Sequence, residues 1–137
     1  MTLRVLIVSD RPEYRQLLAH HVTLEWADAL PAEYEPATRG RLRPAFTGSA
    51  YDVVLLDPDV EEERGLEWLV NLRLRPGFPP IVYFGPTEHA ELELRASAAG
   101  ALRVLPRTDF EHEQLAEARR EVVGRQHNVL HEASRAA

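Results

Sequence analysis

Asp10 follows the apolar run from Leu3 to Val8, and Asp57 closes a second run, Val53 to Leu56, with Asp59 two residues further on. Carboxylates delivered from the ends of separate strands are what a hard divalent cation such as Mg2+ takes, a few oxygen ligands with water completing the shell. A carboxylate beside such an ion can also accept a phosphoryl group. Composition removes several other chemistries. The chain has no Cys, hence no thiolate nucleophile, disulfide or Cys zinc site. All 16 of its basic residues are Arg. A Walker A phosphate clamp or a Schiff base, each needing Lys, is therefore excluded.

The elements that must position these carboxylates follow from the apolar pattern. At 137 residues and 45% hydrophobic, the chain suits one domain with a core. Leu3 to Val8 reads as a buried strand, and Pro12 opens a helix that keeps a helical period through Leu17, Leu18, Val22 and Ala29 until Pro31 ends it. Tyr34 to Thr38 reads as a short second strand and Pro44 to Ala50 as a weak helix. Val53 to Leu56 is a third strand, followed after Gly65 by a helix through Leu66, Leu69 and Leu72. Pro80 to Phe84 is a fourth strand, followed by a helix capped by Thr87 and carrying Leu92 and Leu94. Leu102 to Leu105 is a fifth strand, and Asp109 caps a last helix through Leu115, Ala118 and Val122. Five strands alternating with five helices predict an α/β fold, a parallel sheet covered on both faces.

The net charge of −6 and the dispersal of the Arg residues argue against a nucleic-acid surface. The apolar runs are too short for a bilayer and the N-terminus lacks the order of a signal peptide, so no membrane contact and a cytoplasmic location are expected. Residues 1–125 read as the domain, and 126–137 as a tail or the start of a linker to an output domain. His127 and His131 share a helix face but lack a third metal ligand. Asp57-Pro58-Asp59-Val60 resembles the Asp-x-Asp motif of haloacid-dehalogenase-type phosphatases, whose first-strand placement and later Lys are both missing here.

In collinear order, Leu-Arg-Val-Leu-Ile-Val-Ser-Asp-Arg-Pro (3–12), Tyr-Asp-Val-Val-Leu-Leu-Asp (51–57), Gly65-Leu66-Glu67, Pro80-Ile81-Val82 and Ala99-Gly100-Ala101 resemble a response-regulator receiver domain of the CheY type. The resemblance covers about residues 3–125 and implies a three-layer, flavodoxin-like, doubly wound fold with strand order 2-1-3-4-5. It implies that Asp57 is the phosphoacceptor for a histidine kinase. It implies an Mg2+ site built from Asp10, Asp57 and the Asp59 main chain, with Ser9 standing where the family has a second carboxylate.

Four positions depart from that pattern. Ser9 removes a charge from the metal site, so Mg2+ binding is weakened. Gly85 stands where the family has a Thr or Ser hydroxyl for the phosphoryl group. Val104 stands where it has an aromatic switch residue. Arg107 replaces its Lys, a wide fork for a compact ammonium, free to pair with Asp57 or Asp10 instead. The loop after Asp57 carries Glu61-Glu62-Glu63, read as solvated.

The expectation is a degenerate receiver, not an enzyme, that works as a protein-interaction or dimerisation module without the standard phosphorylation switch. The alternative is a conventional receiver phosphorylated on Asp57 with Mg2+. The interaction face is placed on the fourth and fifth of the five helices and the strand between them, with Leu92, Leu94, Leu102, Leu105 and Leu115. The partner is a second copy, another protein or an attached output domain.

Overall fold

The structure, a computed structural model, describes residues 2–40, 50–85, 90–107 and 110–136. Strands β1 (Leu3–Val8), β2 (Ala29–Tyr34), β3 (Val53–Leu56), β4 (Ile81–Gly85) and β5 (Arg103–Pro106) form one sheet in the order β2-β1-β3-β4-β5. Every pairing is parallel. The helices are α1 (Pro12–Glu25), α2 (Pro36–Arg39), α3 (Val60–Glu63), α4 (Gly65–Arg73), α5 (Ala90–Ala98) and α6 (His112–Ala136). This is the expected α/β architecture and strand order.

Alternation along the central strands sorts the core into two layers. Leu3, Val5 and Ile7 face one side, where they pack with Leu18, Val22 and Trp26 of the α1 region and Leu115, Ala118 and Val122 of α6. Leu6 and Val8 face the other, with Trp68, Leu69 and Leu72 of α4 and Ala96 of α5. The indole N–H of buried Trp26 donates to the Leu115 carbonyl at 2.9 Å, and Arg119 forks onto Asp28 at 3.2 and 2.9 Å. These contacts fix α6 against the end of α1.

Two sequence expectations are corrected. The first helix stops at Glu25, not at Pro31, and the second strand is Ala29–Tyr34, not Tyr34–Thr38, a stretch that instead enters the short α2. The cause is that β2 is an edge strand. Leu30 is 61% exposed, so the strand lacks the apolar run that marks its neighbours, and an edge tolerates Pro31 because one side of it needs no ladder donor. The acidic loop after Asp57 contains the short helix α3. Most of the expected Pro44–Ala50 helix, and Thr87 and Asp109 as caps, lie outside the described residues, as do the side chains of His127 and His131. The boundary expected at 125–126 falls inside α6.

Register delivers the site. Val8 pairs with Tyr34 on one side and Leu56 on the other, so β1, β2 and β3 end level. The Asp57 N–H donates to the Val8 carbonyl at 3.0 Å, and the Ser9 N–H to the Tyr34 carbonyl at 3.1 Å. Gly65 closes the loop that follows: its N–H donates to the Pro58 carbonyl at 3.0 Å, and a Cβ there would lie 2.5 Å from the Pro58 Cα. Only glycine allows α4 to start this close to the chain after Asp57.

Candidate functional site

Asp57 is fully buried, and its two carboxylate oxygens are filled. Oδ2 accepts from the Ser9 hydroxyl at 2.6 Å and from Arg11 Nε at 3.0 Å. Oδ1 accepts from Arg11 Nη2 at 2.9 Å and from the Asp59 N–H at 3.1 Å. Four donors match the four lone-pair sites of an ionised carboxylate, and the arginine fork supplies the bidentate geometry that makes such pairs strong.

Local sequence explains why Arg11 reaches Asp57. A residue before proline is pushed out of the helical region, and Arg11, followed by Pro12, has φ −104° and ψ 108°. Its N–H donates to the Ser9 hydroxyl oxygen at 3.1 Å. Ser9 thus both accepts from Arg11 and donates to Asp57, holding the two together. The guanidinium lies over the Tyr14 ring at 4.4 Å, a cation–π contact on its other side, and Nη1 comes within 3.7 Å of Asp59 Oδ2. Burial lowers the pKa of Arg11, but the hydrogen bond and charge of Asp57 outweigh it and leave a net rise.

Asp10 does other work. Its Oδ1 accepts from the Ala37 N–H at 2.7 Å and its Oδ2 from the Glu61 N–H at 2.8 Å. One side chain at the end of β1 therefore ties the first turns of α2 and α3, the short helices after β2 and β3. Glu61 has φ 48°, a left-handed conformation that costs a non-glycine residue about 1 kcal/mol, and Asp10 secures it. Arg15 reinforces the same edge, donating to the Ser9 carbonyl at 2.8 Å and pairing with Glu33 at 3.1 Å.

Arg107, placed by the sequence near Asp57 or Asp10, pairs instead with Asp59 through Nη2 at 3.3 Å. Its carbonyl accepts from the Tyr14 hydroxyl at 2.7 Å. Gly85, Val104 and Tyr83 all line one hollow. A Cβ on Gly85 would lie 2.8 Å from Tyr83 Cε1, so the ring occupies the space that a hydroxyl-bearing side chain at 85 would need. Val104 is the register partner of Tyr83. The aromatic ring missing from β5 is thus present one strand over.

These residues do not fit a divalent cation in this arrangement. The oxygens of Asp57 already have their donors, and those of Asp10 hold two main-chain amides. Among the described residues, no three His, Asp or Glu side chains are placed to hold a metal. The guanidinium of Arg11, bridging Asp57 and Asp59, supplies the positive charge there.

Of the leucines assigned to an interaction face, Leu105 and Leu115 are core residues, 1% and 2% exposed. Leu92 and Leu102 are half-buried, and Leu94 is 70% exposed. Sequence reasoning gave Arg11 no role. The signal that could have found it is a cation set directly before a helix-opening proline, after the acidic end of β1 in a chain without Lys.

No family model and no curated protein matches the chain. Solved structures do match. A response-regulator receiver domain protein from Clostridium thermocellum is 16% identical with a TM-score of 0.74, covering 93% of this chain and 98% of its own. The signal receiver domain of a DNA-binding response regulator from Colwellia psychrerythraea 34H is 17% identical, TM-score 0.71, covering 89% and 98%. A putative pilus assembly protein from Burkholderia thailandensis E264 is 19% identical, TM-score 0.70, covering 90% and 99%. The likeness is one of fold: this chain has the receiver-domain architecture. No helix among the described residues is long and apolar enough to cross a membrane.

Two outcomes follow from the geometry. Asp10→Ala frees two main-chain donors, in α2 and in α3, and should lower unfolding free energy by about 1–2 kcal/mol while speeding amide exchange at Ala37 and Glu61 together. Unchanged exchange at either residue would contradict the tie. Burial pushes the Tyr83 hydroxyl up to about 12, with the Asp57 and Asp59 charges adding to it. The folded state therefore favours neutral Tyr83, a contribution intact below the unfolded value of about 10 and lost as pH rises toward 12. Denaturation midpoints across that window should fall less steeply in Tyr83→Phe than in the unaltered chain, and equal slopes would contradict this.

Proposed function

We propose that the chain is a degenerate receiver module of signal transduction, acting through protein contacts and without aspartyl phosphorylation. The observation that carries this reading is the closed set of donors on Asp57: the Arg11 fork, the Ser9 hydroxyl and the Asp59 amide leave no free lone pair. For a phosphoryl group to transfer, a carboxylate oxygen must be free to attack phosphorus, with a cation screening the approach. Here the oxygens are engaged and the cation is a tethered side chain. The likeness of fold to receiver domains supports the signalling setting.

Three further positions agree. Gly85 carries no hydroxyl for a phosphoryl oxygen, Val104 has no ring to swing, and Arg107 is paired with Asp59 rather than poised over Asp57. A scaffold retaining its surfaces but not its switch acts by docking. The module binds a second copy, a signalling protein or an attached output domain. Leu94, exposed on α5, gives that helix an apolar contact point within the expected interaction face.

The test is to incubate the protein with Mg2+ and acetyl phosphate, and separately with beryllofluoride, following intact mass and amide spectra. The expected result is no stoichiometric adduct and no shifts around Asp57. A one-to-one adduct on Asp57, with shifts spreading to α5 and α6, would establish the conventional phosphoacceptor reading instead.

A further inference from the structure

Beside the Tyr83 ring, which takes the space next to Gly85, the small side chain of Val104 borders an unfilled hollow. It has a volume of about 310 Å³ and lies between β4, β5, α4 and α5 beside the loop after Asp57. Pro58, Leu66, Leu92 and Val104 give it apolar sides, and the buried Tyr83 ring, lying over Gly85, gives it a flat aromatic wall. A pocket of this size is at the small end of those that hold small molecules, about 300–1,000 Å³. It admits one ring with a short side chain, stacked or edge-on against Tyr83.

Its polar groups are asymmetric. Arg107 lines the hollow with its side chain 36% exposed, and among the described residues its buried Nε has no hydrogen-bond partner. Among the described residues the guanidinium makes one long bond, 3.3 Å to Asp59, which leaves other donors of its five-donor fork for a ligand. A carboxylate at the rim would form charge-assisted hydrogen bonds with the exposed part of the guanidinium. Asp59 also lines the hollow, and its charge and that of Asp57 are offset by Arg11 and Arg107.

We propose that this hollow binds a small aromatic carboxylate, its ring against Tyr83 between Val104 and Leu92 and its carboxylate on Arg107. The inference goes beyond the reading of Asp57 and does not depend on it, since neither Asp57 nor Arg11 lines the hollow.

The test titrates the full chain with trans-cinnamate, benzoate and indole-3-acetate, following amide shifts, with cinnamamide as a neutral analogue of the same shape. At least one acid should give saturable shifts at Tyr83, Gly85, Val104 and Arg107 with a Kd of about 1 mM or tighter. Cinnamamide should bind at least about tenfold more weakly than cinnamate. Arg107→Gln should erase that preference for the acid. Val104→Phe fills the slot from β5 and should abolish binding, and Leu92→Trp, which narrows it from α5, should do the same if the first variant folds poorly. No saturable shift with any of the acids up to about 10 mM would overturn the proposal. So would equal affinity for cinnamate and cinnamamide, undiminished binding by a folded slot-filling variant, or shifts confined to Leu94 and the exposed side of α5. Because no variant alters Asp57 or Arg11, these results are read separately from the phosphodonor experiment.

Discussion

A fully buried carboxylate sets the terms for the rest of the site. Ser9 and Asp57 are the polar residues buried among the described residues, and an ionised group without solvent is tolerated only when paired and hydrogen-bonded. Asp57 has to be there because β3 ends there, level with β1. The chain meets the demand with neighbours from one short segment, Ser9 to Arg11, whose backbone is set by the proline that starts α1. The sheet delivers the anion, and the turn after the adjacent strand delivers its cation.

That arrangement bears on switching. A two-state module needs a ligand or modification that binds one state better than the other by several kcal/mol. A guanidinium fixed on Asp57 by two hydrogen bonds, backed by Tyr14 and oriented through Ser9, biases the site toward a single state. Asp10 adds to this by tying the short helices α2 and α3 to the end of β1. The residues that would hold a metal in a receiver serve here as internal struts, and the edge where a signal would enter is cross-linked. The proposed function accordingly rests on surfaces, and the proposed ligand on the hollow beside β4 and β5.

The fold was largely legible because the central strands are short β-branched runs buried on both faces, bounded by Pro, Gly and Asp. The failure at β2 has a physical cause: Ala-Leu-Pro-Ala-Glu-Tyr sits on an edge and carries neither alternation nor a continuous apolar run. The site was legible in its membership and not in its pairing. Sequence order placed Ser9, Asp10, Asp57, Asp59 and Arg107 at one edge, but which cation reaches which anion depends on the reach and angle of side chains that spacing does not encode. Arg107 was the conspicuous cation because it replaces a Lys. Arg11 won the contact because Pro12 holds its backbone extended. Likewise Gly85 and Val104 read as losses, and only the structure shows that the Tyr83 ring takes the space beside Gly85 and walls the hollow that Val104 borders.

The most direct test of this account is a double-mutant cycle on Arg11→Gln and Asp57→Asn, measured by equilibrium denaturation near neutral pH. The arginine side chain is 41% exposed and the aspartate 0%, so removing the arginine strands a buried charge, whereas removing the aspartate leaves a cation that water can reach. Arg11→Gln should cost about 3 kcal/mol or more, Asp57→Asn distinctly less, and the two should couple by about 2 kcal/mol. Costs that simply add, to within about 0.5 kcal/mol, would show that Arg11 does not hold Asp57 and would contradict the account.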